Sequence, residues 1–131
     1  MGLVNSMAKE MIKEIGNKSR EFYEFVLPPV DIYLAEDELT LLIDIPGFQK
    51  DDIELTLNRN ILSIQACKKE ISDKKKHDRI CNQRPNIIDK KIRLPVHLEE
   101  GEETVTSAKY EQGVLTIIIP IPKHGKGITI E

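Results

Sequence analysis

Between residues 3 and 26 the apolar side chains Val4, Met7, Met11, Ile12, Ile15, Phe22 and Val26 recur mostly at steps of three, four and seven, with Lys9, Glu10, Lys13, Glu14 and Lys18 between them. That spacing places the apolar set on one face of a helix. Gly16 weakens its middle by about 1 kcal/mol relative to alanine, and Pro28-Pro29 ends it because proline lacks the N–H and clashes with the preceding turn. A stripe of Met and Phe is adaptable and sticky. Two readings follow: a helix packed on its own domain, or an arm offering Met7, Met11, Ile15, Phe22 and Phe25 to a partner or client. The second is favoured, because the strands downstream can satisfy one another.

After the prolines the period changes to two. Segments 30–33, 38–45, 52–57, 62–66, 89–94, 104–110 and 114–119 are rich in β-branched residues and separated by turn chemistry, which predicts seven short strands and a sandwich. Pro46-Gly47, Asn58-Arg59-Asn60 and Gln112-Gly113 carry the residues that tight turns demand. In 53–57 the odd positions are apolar and the even ones polar, the mark of a strand with one wet face, whereas 115–119 is nearly all apolar. The alternation also predicts that Ala108 faces the sandwich core.

Residues 68–85 break the pattern with a long charged loop that still contains Ile80-Cys81, enough for a short strand. Such a loop in a small domain is either disordered or reaches out to pair with another subunit's edge strand. The chain closes on Ile128-Thr129-Ile130-Glu131 beyond a Lys-His-Gly-Lys-Gly linker. In an extended segment Ile128 and Ile130 point the same way. Burying both would yield roughly 3 to 6 kcal/mol gross, much of it consumed in ordering the tail. The tail is either a frayed end or a weak peg that holds firmly when many act together.

Composition narrows the function. With 131 residues, 40% hydrophobic and 31% charged, there is room for one domain with short extensions. A net charge of -3 argues against a nucleic-acid or anionic-membrane partner, and the basic run Lys74-Lys75-Lys76 reads as a solvated loop. No segment has the form of a secretory signal or a membrane span, so the expected home is the cytoplasm. Cys67 and Cys81 stand fourteen positions apart without a second pair and read as reduced thiols, and His77 with Cys81 does not make a metal site. Serines and histidines are scattered, no nucleophile elbow or phosphate loop occurs, and Asp51-Asp52 is a solvated turn pair. No catalytic, cofactor-binding or metal-binding residue is expected, and no enzyme.

The strand ending LLIDIPGF (41–48), the hairpin DDIELTLNRNILSIQA (51–66), IRLP (92–95) and AKYEQGVLTIIIP (108–120) together resemble the α-crystallin domain of small heat-shock proteins. Gly113-Val114-Leu115 before the last strand and the hinged Ile128-x-Ile130 tail are the most specific parts, and 30–33 with Gln83-Arg84-Pro85 look closest to archaeal members. The resemblance implies an all-β, immunoglobulin-like sandwich at 28–122, an N-terminal amphipathic arm at 1–27, a dimerisation loop at 68–85 and a flexible tail at 123–131.

It further implies an ATP-independent holdase that captures non-native proteins under heat stress as a dynamic homo-oligomer of roughly 24 subunits in closed symmetry. Ile80, Cys81 and Asn82 would exchange onto the edge carrying Val30 and Ile32 of a second copy. Ile128 and Ile130 would dock between the strand of Ile53, Leu55 and Leu57 and the strand of Val105 and Ser107. Lys90 stands five residues before Pro95, where the family often has arginine. It would bridge the dimer more loosely, since lysine lacks the bidentate fork. Ile119-Pro120-Ile121 reads as a strand end rather than a second tail motif. The rival reading is a monomeric co-chaperone adaptor of the CS-domain type, with the same sandwich but no use for the tail.

Overall fold

In the computed structural model the residues described are 2–68, 79–102, 106–122 and 127–131, with side chains from residue 5 onward. Pattern and structure agree closely. A helix, α1, spans Gly2–Val26, and seven strands follow: β1 Val30–Leu34, β2 Glu38–Asp44, β3 Ile53–Asn58, β4 Ile61–Cys67, β5 Ile87–Arg93, β6 Ser107–Glu111 and β7 Val114–Pro120. They form two antiparallel sheets, one in the order β1-β2-β7-β6 and the other β3-β4-β5. Lys74, Lys75, Lys76 and His77 lie outside the described residues, as do Val105 and the hinge at 123–126.

The sandwich closes because alternate positions of the central strands point inward. Leu39, Leu41 and Ile43 of β2, Leu62 and Ile64 of β4, and Leu115, Ile117 and Ile119 of β7 are all buried, joined by Ile45, Ile88, Leu94 and Leu98. Each such aliphatic side chain contributes roughly 1.5 to 3 kcal/mol of transfer free energy. The nearly unbroken apolar run of β7 is explained by its position: it lies between β2 and β6, so the outward side chains Val114, Thr116 and Ile118 are themselves half-buried.

Two turns fix the frame around one end. Gln112 and Gly113 join β6 to β7 with φ of 51° and 78°, the paired positive values that a two-residue hairpin turn needs. A side chain at Gly113 would also meet the Pro46 backbone, its Cβ only 3.1 Å from Pro46 Cα. The Gly113 carbonyl accepts a 2.7 Å hydrogen bond from Ile45 N, tying the turn to the strand end of β2. The Gly-Val-Leu signature thus has a local cause: bare glycine lets the hairpin close against Pro46.

The facing of β6 is corrected by the structure. Ala108 is exposed rather than in the core. β6 is an edge strand whose neighbour β7 pairs Ala108 with Ile117, and both faces of an edge are less covered than those of a central strand.

Candidate functional site

Three surfaces carry the sequence expectations. The first is a groove of about 150 Å³ lined by Lys50, Ile53, Leu55, Ala108, Tyr110 and Leu115, where β3 of one sheet faces β6 and β7 of the other. The Tyr110 hydroxyl lies 2.7 Å from the Ile45 carbonyl oxygen and 2.8 Å from that of Phe48, which fixes the ring that walls the groove. Ile53 and Leu55 are where the sequence places them. Leu57 continues the same half-buried face of β3 beyond the lining residues. Ser107 is not in the lining: successive side chains of a strand alternate, so with Ala108 and Tyr110 in the groove Ser107 turns to the outer face, where it is exposed. The residue missed was Ala108, whose small apolar side chain between polar neighbours fits a core position and a groove floor equally well.

The second surface is the free edge of β1. Val30 is half-buried, Ile32 is 40% exposed and Leu34 59% exposed, while among the described residues only β2 pairs with the strand. Ile80, Cys81 and Asn82, which the resemblance expects to exchange between copies, form no strand in the single chain. Cys67 and Cys81 are exposed free thiols, and among the described residues no group of His, Cys, Asp and Glu is arranged to hold a metal ion. Within the single chain the Lys90 ammonium donates to the Val26 carbonyl oxygen at 3.2 Å.

The third surface is α1. Met7, Met11, Ile15, Phe22 and Phe25 are all exposed, Phe25 to 85%. The helix nevertheless touches its own domain, through the other face. Gly16 is buried, Arg20 reaches the Asn82 carboxamide at 3.0 Å in the amide orientation that satisfies it, and the Glu24 carboxylate accepts from Ile87 N at 3.0 Å. The tail is free by contrast, with Ile128 at 90% and Ile130 at 94% exposure. Beside the helix end, Lys68 lies 5.1 Å from the centre of the Phe48 ring. Burial and then the nearby Arg84 guanidinium hold its ammonium below the ordinary lysine range, against an opposing pull from Glu24. Among the described residues no helix is long and apolar enough to cross a membrane.

Comparison with known proteins agrees with this architecture. Residues 31–131 match the Hsp20/alpha crystallin family. Small heat shock protein C4 of Rickettsia felis is 33% identical over 105 residues, covering 79% of this chain and 63% of that protein, so the chain spans less than two thirds of this relative's length. The 17.4 kDa class III heat shock protein of Arabidopsis thaliana is 30% identical over 113 residues, covering 78% of this chain and 71% of its own length. Among solved structures, a point mutant of hsp14.1 from Sulfolobus superposes with a TM-score of 0.65 at 43% identity, covering 78% of this chain and 84% of that one. The small heat-shock protein of Xylella fastidiosa, described as having a distinct high order structure, gives a TM-score of 0.58 at 26% identity over 80% of this chain and 94% of its own. With residues 31–131 matching the family model and the sandwich superposing on a 43% identical relative, this chain belongs to the Hsp20/alpha-crystallin family, the family of the small heat shock proteins.

Proposed function

We propose that this chaperone works as a holdase: it binds non-native proteins and keeps them from aggregating under heat stress, as a dynamic assembly of identical subunits in the cytoplasm. The observation that carries this reading is an open apolar groove on the sandwich in a chain whose tail isoleucines are 90% and 94% exposed. Seating Ile128 and Ile130 in the groove of a neighbour would yield roughly 3 to 6 kcal/mol gross. Ordering a tail of several residues at about 1 to 2 kcal/mol each cancels much of that. One tail therefore grips weakly and exchanges, while many tails in a closed shell hold by effective concentration. Strand exchange of 80–82 onto the free β1 edge would supply the dimer, and closed symmetry with about 24 copies the shell. Clients would be held on the exposed Met and Phe stripe of α1 and on grooves that tails have left.

The test measures native mass by light scattering, together with protection of a heat-aggregating client, for the intact chain and for Ile128→Ala/Ile130→Ala. A large assembly that falls to dimers in the variant supports the reading. If both ran as monomers, the tail would have no role in assembly and an adaptor acting on another chaperone would take its place.

A further inference from the structure

The side chains of Ile128-Thr129-Ile130 read the same forwards and backwards, so the two isoleucines alone do not decide which way the tail lies in a groove. In an extended segment they stand about 7 Å apart, as do Ile53 and Leu55 two residues apart along β3, and either isoleucine suits either place. The groove itself is not symmetric. Its lining is apolar at Ile53, Leu55, Ala108 and Leu115 and carries one charge, Lys50, which precedes β3 in the short 3₁₀ turn Lys50–Asp52 and so marks one end. Lys50 is exposed, and among the described residues it forms no ion pair. The carboxylates that follow it turn elsewhere: Asp51, Asp52 and Glu54 line a separate cavity with Asp89, and Asp52 Oδ2 accepts from Gln49 N at 3.0 Å.

The tail carries the matching asymmetry. Glu131 follows the second isoleucine, whereas a linker with Lys123 and Lys126 precedes the first. We propose that Lys50 sets the direction of the tail: a second copy's tail lies antiparallel to β3, with Ile128 by Leu55, Ile130 by Ile53 and the Glu131 carboxylate on the Lys50 ammonium. This rests on the reading in which Ile128 and Ile130 dock in a neighbour's groove. Glu131 lies one residue beyond the last anchor, so nothing further along holds its backbone, and the flexible stem of lysine reaches it at the rim. The reverse direction would bring the basic linker to Lys50 instead, where like charges oppose it. An exposed pair adds little grip. Its effect is on choice, since complementary charge suppresses a wrong alignment more than it raises affinity. Direction decides from which end of the groove the linker leaves, and so which neighbour the tail comes from. Tails lying both ways would join copies in two geometries, whereas a closed shell repeats one.

Charge reversal tests the pair. Lys50→Glu, Glu131→Lys and the double reversal Lys50→Glu/Glu131→Lys are compared with the parent by light scattering over a dilution series, in salt of about 10 mM and about 1 M. Both positions are exposed, so all three variants should melt with the parent. At low salt each single reversal should raise the concentration at which the assembly falls to dimers by roughly fivefold or more. The double reversal should bring it back to the parent's value, and high salt should shrink every difference. Should Lys50→Glu melt early, Lys50→Gln takes its place, and adding Glu131→Gln to it should weaken the assembly no further. Single reversals that dissociate like the parent, or a double reversal no better than the single ones, overturn the pairing while leaving the docking of the isoleucines intact. If Ile128→Ala/Ile130→Ala also dissociates like the parent, the tail does not dock and both readings fall.

Discussion

Ala108→Asp separates two views of one strand. If Ala108 faced the core, the substitution would bury an unpaired carboxylate at a cost of several kcal/mol. Here Ala108 is exposed on β6 and lies on the wall of the groove beside Ile53, Leu55 and Tyr110. A surface substitution of this kind costs within about 0.5 kcal/mol, and the poor strand preference of Asp raises that to about 1. For a domain near this size the melting temperature should drop by no more than about 4 to 8 °C. The groove is affected differently. A carboxylate facing two incoming isoleucines must either keep its water, holding the tail off, or lose it at about 1 to 3 kcal/mol. At about 1.4 kcal/mol per factor of ten, that weakens each tail contact by roughly five- to a hundredfold, and a shell held by many such contacts should come apart. Thermal unfolding by circular dichroism and native mass by light scattering, on the same sample, read the two effects. Ser107→Asp, one residue away on the outer face, should change neither. A collapsed melt in Ala108→Asp would show that the strand faces inward after all, and an unaltered mass would show that the tails do not use this groove.

Three further outcomes are expected. Replacing Met11, Phe22 and Phe25 with serine should leave the sandwich melt within a few degrees, since all three are exposed, yet lower protection of a heat-aggregating client; full protection would remove the arm from client binding. Gly113→Ala should destabilise by at least about 1 to 2 kcal/mol from the left-handed backbone alone, with φ at 78° and Pro46 Cα 3.1 Å from the new Cβ adding to it; a melt equal to the parent's would refute the account of that turn. The Lys68 ammonium titrates below the ordinary lysine range, so it weighs against folding at neutral pH and that penalty fades as pH climbs from its folded value toward that of a free lysine; Arg84→Gln should move the Lys68 titration upward in an NMR pH series, and a downward move would show that Arg84 is not a cause of the shift.

The amino-acid order by itself determined the elements and the fold class, because the cues are local. Period-two runs bounded by Pro46-Gly47, Arg59-Asn60 and Gln112-Gly113 have few alternatives to strand and turn, and the helical stripe stopping at Pro28 has few alternatives to an amphipathic helix. The observed strands accordingly begin and end within a few residues of the expected ones. The tertiary structure decided what depends on residues far apart in the chain. Ala108 reads as core in isolation, and only the docking of the β3 face opposite an edge strand makes it a groove wall. The bond from Lys90 to the Val26 carbonyl at the end of α1 spans 64 positions, and no local pattern announces it. Gly16 reads as a flaw in the helix. Its absent side chain becomes a contact surface only when residues 81 and 82 arrive beneath it, and a single-sequence pattern contains no term for that meeting.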